Sequence, residues 1–164
     1  MSNHVAHLIR RLRHRGLRWL WYALRDRVAP VHPRFLPFAR EAILHRSGLE
    51  IGGPSRLFGP RGALPVYDWV AQLDNVNFAT DTRWECELSD GGPFRFNRCK
   101  PPGHQWLREA TDLRGLADSS FDCIVSSHCL EHVANPLGAL AEWARVTKPG
   151  GHLLLVLPDP PRTF

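Results

Sequence analysis

What the chain lacks narrows its class before any motif is read. Its four cysteines (86, 99, 123 and 129) include no C-x-x-C pair, so a paired-thiol metal or redox motif is absent. Cys123 sits in an apolar strand pattern, where a buried free thiol in a reducing cytoplasm is the expected state. No apolar run approaches the roughly 20 residues of a membrane span. The N-terminal stretch lacks the uninterrupted apolar core and small-residue cleavage site of a secretory signal. No internal repeat is visible. Acidic residues are scarce at one end: residues 1–46 hold ten arginines against Asp26 and Glu41, a net +8. The other 118 residues carry 11 basic and 14 acidic groups, so the overall +5 belongs to an arm and the main domain is mildly acidic.

What is present suffices for one ordinary folded domain: 164 residues, 43% hydrophobic and 23% charged. Val5, Leu8, Ile9, Leu12, Gly16, Trp19, Leu20 and Ala23 recur at helical spacing, with Arg11, Arg15, Arg18, Tyr22 and Arg25 opposite, which predicts a basic amphipathic helix. Pro30 and Pro33 end it, and a second short helix is expected over 34–46. "SGLEIGGPSRLFG" reads as a buried strand entering a glycine turn, and "WVAQLDNV" as a second strand ending at Asp74. Residues 77–104 read as an irregular insertion and "QWLREATDL" as a third strand. "FDCIVSSHCL" is a short buried strand. "NPLGALAEWARVT" is a helix expected to turn Leu137, Leu140, Ala141 and Ala144 inward. "KPGG" stops it, and "HLLLVLP" is a last strand, apolar on both faces. Strands alternating with helices give an open α/β, Rossmann-like, mostly parallel sheet of about five strands with flanking helices. The expected division is a basic arm or cap over 1–45 and a core over 46–164.

Two stretches bear on chemistry. In "SSHCLEH", His128-Cys129-Leu130-Glu131-His132 fits H-x-x-E-H, a zinc-hydrolase pattern if it lies on a helix. Such a site needs a further protein ligand, and Glu142 and Asp159 are the only acids in the 32 residues after His132, so no metal is expected. Leu49-Glu50-Ile51-Gly52-Gly53 places glycines at a strand's carboxyl end, where sheets of this class bind cofactors. Asp74 follows Gly52 by 22 residues; an acid at the end of the next strand can accept hydrogen bonds from both ribose hydroxyls of a nucleoside. Asp68 is a rival for that place.

The run from Glu109 to Leu157 resembles the second half of the core of class I S-adenosylmethionine-dependent methyltransferases, closest to the type 11 group that includes quinone-biosynthesis enzymes. The resemblance rests on Glu109-Ala110, Leu113, Ser120-Phe121-Asp122, Leu130-Glu131-His132 and Lys148 to Gly151 in order, and with Leu49 to Asp74 it covers roughly 46–160. It implies S-adenosylmethionine as cofactor. Glu50 would lie near the methionine moiety, with Gly52 and Gly53 allowing close backbone approach. Asp74 would hold the ribose, Glu109 and Ala110 would touch the adenine, and Ser126 and His128 would lie beside the transferable methyl. For a hydroxyl acceptor, His128 or His132 is the nearest base. Gly52-Gly53-Pro54 departs from the family's Gly-x-Gly, and Pro54 removes a backbone N–H there.

The expected function is methyl transfer to a small-molecule acceptor. The alternative is a non-catalytic or fragmentary protein of this fold, working through its basic helix on a membrane or partner. Peripheral membrane contact through residues 5–25 is expected, and nucleic-acid binding is not. The resemblance also implies that a further helix and two strands would follow the last strand, whereas the sequence stops seven residues after Leu157. "HLLLVLP" is therefore expected to be an edge strand with a tendency to self-associate through 152–157.

Overall fold

A computed structural model describes residues 34–79 and 88–158. The basic arm's predicted helix over 5–25 lies outside the described residues. Helix α1 (Leu36–Ile43) precedes strand β1 (Ser47–Ile51), the short helix α2 (Val66–Trp69) and strand β2 (Gln72–Asn77). A two-residue strand β3 (Pro93–Phe94) and strand β4 (Gly103–Leu107) follow. Strand β5 (Phe121–Ser127), a single 3-10 turn (Leu130–His132), helix α3 (Pro136–Val146) and strand β6 (Thr147–Val156) complete the order.

The sheet runs β3-β4-β2-β1-β5-β6, parallel throughout except for β3 against β4. Among the described residues it has six strands where about five were expected. The extra one comes from the insertion over 77–104, which is less irregular than its Gly/Pro content suggested: it supplies β3 and the start of β4. Buried on both faces, β1 and β5 carry Leu49, Ile51, Cys123, Ile124 and Val125 into the core, as the middle strands of a covered parallel sheet must. β6 is an edge strand with Leu153 46% exposed. Among the described residues, no helix is long and apolar enough to cross a membrane.

Helix α3 begins at Asn135, whose side chain accepts a hydrogen bond from Gly138 N at 3.0 Å, with Pro136 in the first turn. It buries Ala139, Trp143 and Val146, not the predicted face: Leu137, Ala141 and Ala144 are exposed and Leu140 is half-buried. Two anchors explain the rotation. Trp143 carries the largest apolar surface of the helix and donates its indole N–H to Ala110 O at 3.0 Å. Arg145 is held by Glu142, Asp118 and the carbonyls of Leu113 and Leu116, and Glu142 accepts from Leu113 N. The helix therefore turns toward the loop that feeds β5.

Two of the motifs that carry the resemblance serve the opposite end of the sheet. Asp122, at the start of β5, accepts from Ser47 N at 2.9 Å and pairs with Lys148 Nζ at 2.8 Å. Those partners hold the Asp122 carboxyl below its ordinary range, Lys148 most strongly. Lys148 belongs to the Lys-Pro-Gly-Gly turn that loops out between Thr147 and His152, which pair with Phe121 and Cys123 respectively.

Candidate functional site

The carboxyl ends of β1, β2, β4 and β5 open into one cavity of about 690 Å³, the size of a small-molecule site. β1 contributes Ile51 and Gly52, and β2 contributes Val76 and Asn77, followed by Phe78. Arg108, Glu109, Ala110 and Thr111 come from the segment after β4. His128, Cys129 and the stretch from His132 to Asn135 come from beyond β5.

Four of the eight residues expected at a cofactor line this cavity: Gly52, Glu109, Ala110 and His128. Gly52 has φ +81°, and a Cβ there would meet Cys129 Sγ at 2.9 Å, so the turn between β1 and the loop is built for glycine.

The other four are committed elsewhere. Glu50 is 1% exposed; one carboxylate oxygen accepts from Ser55 N at 2.9 Å and the other from the Tyr67 hydroxyl at 2.8 Å. Tyr67 is wedged edge-on among Phe58, Phe94 and Phe96. Gly53 donates its N–H to Asn75 Oδ1 at 3.1 Å, and its carbonyl accepts from Asn77 Nδ2 at 2.8 Å. Asn75 Nδ2 in turn donates to Gln105 Oε1. The loop is thus drawn down onto β2, with the Glu50 carboxylate and the Gly53 backbone satisfied inside the protein. Ser126 is buried in β5 and donates to Ile51 O at 3.1 Å.

Asp74 does not end its strand, as the sequence reading expected it to. It lies in the middle of β2, opposite Leu49. Its carboxylate accepts from His104 N at 2.9 Å and from the Trp106 indole at 3.4 Å. β2 continues three residues further, and Asn77 stands at its end in the cavity wall. Asp68, the rival, is an exposed residue of α2 that accepts from Asn97 Nδ2.

The H-x-x-E-H stretch does not form a helical face. His128, with φ +52°, lies just past β5, while Leu130–His132 is one 3-10 turn. Glu131 Oε1 sits between the two imidazoles, 3.6 Å from His128 Nδ1 and 3.8 Å from His132 Nε2. Among the described residues, no group of three histidines, cysteines or acids is arranged to hold a metal ion. Cys129 also reaches the cavity, and burial pushes its thiol pKa up; a protonated thiol is a poor nucleophile.

Sequence reasoning missed Asn77, Arg108 and Cys129. The β1–β2 register, Ile51 opposite Val76, sets Asn77 level with Gly52, and that pairing is not legible from one strand alone. Arg108 reaches the cavity while its guanidinium pairs with Asp90 at 3.0 Å.

Residues 96–155 match a family model described as a methyltransferase domain, of type 11. Over 69 residues the chain is 42% identical to a demethylmenaquinone methyltransferase of Tropheryma whipplei, covering 42% of this chain and 28% of that protein. It is 28% identical over 130 residues to an uncharacterized methyltransferase of Mycobacterium ulcerans, covering 79% of this chain and 46% of the relative. The solved structure of YcgJ from Bacillus subtilis shares the fold, with a TM-score of 0.51 at 22% identity over 76% of this chain and 50% of that one. Each match spans half or less of the relative's own length.

Proposed function

We propose that this chain, whose residues 96–155 match the type 11 methyltransferase domain model, binds S-adenosylmethionine in the cavity at the strand ends and transfers its methyl group to a small-molecule acceptor. The observation that carries the reading is the convergence of Gly52, Asn77, Glu109, Ala110 and His128 on one cavity, at the sheet edge where α/β folds bind nucleoside cofactors. The residues fit such a ligand. The cavity is large enough, Gly52 brings bare backbone to its wall, and Asn77 stands in that wall with its Nδ2 spent on Gly53 O. Glu50 and Gly53, occupied by the internal network, position the loop instead of touching the cofactor.

When bound, S-adenosylmethionine supplies an electrophilic methyl on a sulfonium, with a neutral thioether as leaving group. The protein's task is then to align the acceptor and exclude water. Gly52 and the wall formed by Ala110 and Thr111 fix the cofactor's orientation. His128, at the cavity edge, takes the proton from a hydroxyl acceptor, and His132 is the second base in reach of that side.

Photo-crosslinking of S-adenosylmethionine labelled on its methyl group, followed by peptide mapping, tests this. Label is expected in the peptides that contain residues 76–78, 109–111 or 128–135, and label confined elsewhere overturns the assignment.

A further inference from the structure

The inference rests on reading the cavity as a nucleoside-cofactor site, and concerns how the sugar is recognised there. In sheets of this class an acid at the end of the second strand can take both ribose hydroxyls, one on each oxygen. Here that place holds Asn77, 5% exposed and part of the cavity wall. Its Nδ2 is spent on Gly53 O at 2.8 Å, while no described residue donates a hydrogen bond to its Oδ1. The main chain is fixed as well, since Asn77 O accepts from Arg108 N at 2.9 Å.

These contacts set the amide's orientation. A flip would turn Oδ1 toward the Gly53 carbonyl, two acceptors facing each other with no proton between them. An aspartate in this position would suffer the same opposition, with a full negative charge added. The nearest acid along the strand, Asp74, is already engaged by His104 N and the Trp106 indole. Asn75 Nδ2 also donates to the Gly53 carbonyl, at 3.4 Å, so Asn77 supplies the shorter of the two bonds that hang the loop on β2, and an amide makes that bond while keeping an acceptor for the cavity.

We propose that Asn77 is the specificity-determining residue for the sugar, offering one neutral acceptor to one of the two vicinal hydroxyls. A carboxylate would read both. Asn77 reads one and leaves the other without a partner at β2. It touches the ligand through Oδ1 and positions the glycine loop through Nδ2, so one side chain couples loop geometry to cofactor recognition.

The test is calorimetric titration of the full 164-residue chain with S-adenosylhomocysteine and with its 2′-deoxy and 3′-deoxy analogues. One analogue is expected to bind about tenfold more weakly than the parent and the other within about twofold of it, the loss of a single hydrogen bond. In Asn77→Ala the three ligands should bind alike, at the weaker level. Equal losses for the two analogues, or no loss for either, overturn the proposal in the unaltered chain, whatever the variant's folding. A difference that persists in folded Asn77→Ala does the same. Failure of the parent compound to bind would instead remove the cavity reading, and this proposal with it.

Discussion

Substituting Gly53 by alanine probes the network that holds the loop. A Cβ built at Gly53 lies 2.3 Å from the Glu50 carboxyl carbon and 2.5 and 2.6 Å from its oxygens, well inside van der Waals contact. The carboxylate has no room to retreat without leaving Ser55 N and the Tyr67 hydroxyl, and Tyr67 is itself locked by three phenylalanine rings. Hydrogen bonds to a charged group contribute about 1.5–3 kcal/mol each, and a buried carboxylate stripped of them costs at least as much. Losing both is therefore expected to cost on the order of 3–5 kcal/mol, a large share of the roughly 5–15 kcal/mol that holds a domain together. Gly150→Ala is the contrast. Gly150 has φ +75° and nothing within 4 Å of a built Cβ, so the change carries only the left-handed penalty of about 1–2 kcal/mol. Urea unfolding followed by tryptophan fluorescence measures both. A Gly53→Ala loss no larger than that of Gly150→Ala would mean that the carboxylate moves at little cost and that the network does not hold the loop.

Asp122 and Glu142 have carboxyls held below their ordinary values of 3.8 and 4.5, by Lys148 and Arg145 respectively. A lowered folded-state pKa stabilises above the unfolded value and is lost as pH falls through the folded one, so melting temperature should drop below about pH 4, and Asp122→Asn should flatten that drop. We propose that the β6 edge pairs between copies: sedimentation velocity should show concentration-dependent association that Leu153→Lys reduces, and a monomer at all concentrations would count against it. We also propose that residues 5–25 bind anionic membranes, each Arg near the surface adding about 1 kcal/mol. Equal partitioning with neutral and anionic vesicles would remove the electrostatic part.

Much of the architecture was legible because the middle strands announce themselves. The Phe121–Ser127 strand is an apolar run bounded by turn residues, and both faces are buried, so neither propensity nor environment contradicts the pattern. The end of β2 was not. Asp-Asn-Val-Asn reads as a turn by local propensity, yet Asn75 and Asn77 are buried in a strand because Gly53 and Gln105 satisfy their amides. Those partners lie more than twenty residues away in sequence, which is why the strand was read as ending at Asp74 when it runs on to Asn77. Glu50 illustrates the same limit: its position before the glycines suggested a cofactor contact, while Tyr67 and Ser55 turn its carboxylate inward. In α3, hydrophobic periodicity alone favoured Leu137, and the polar anchors of Arg145 and the Trp143 indole settled the rotation instead.

Isothermal titration of S-adenosylmethionine into the folded chain, with Asp74→Ala in parallel, is the decisive measurement. Saturable one-to-one binding at micromolar concentration, about −8 kcal/mol, is expected, with Asp74→Ala within about twofold because its carboxylate faces β4 and not the cavity. No binding by the folded chain, or a loss of about tenfold or more in Asp74→Ala, would contradict it.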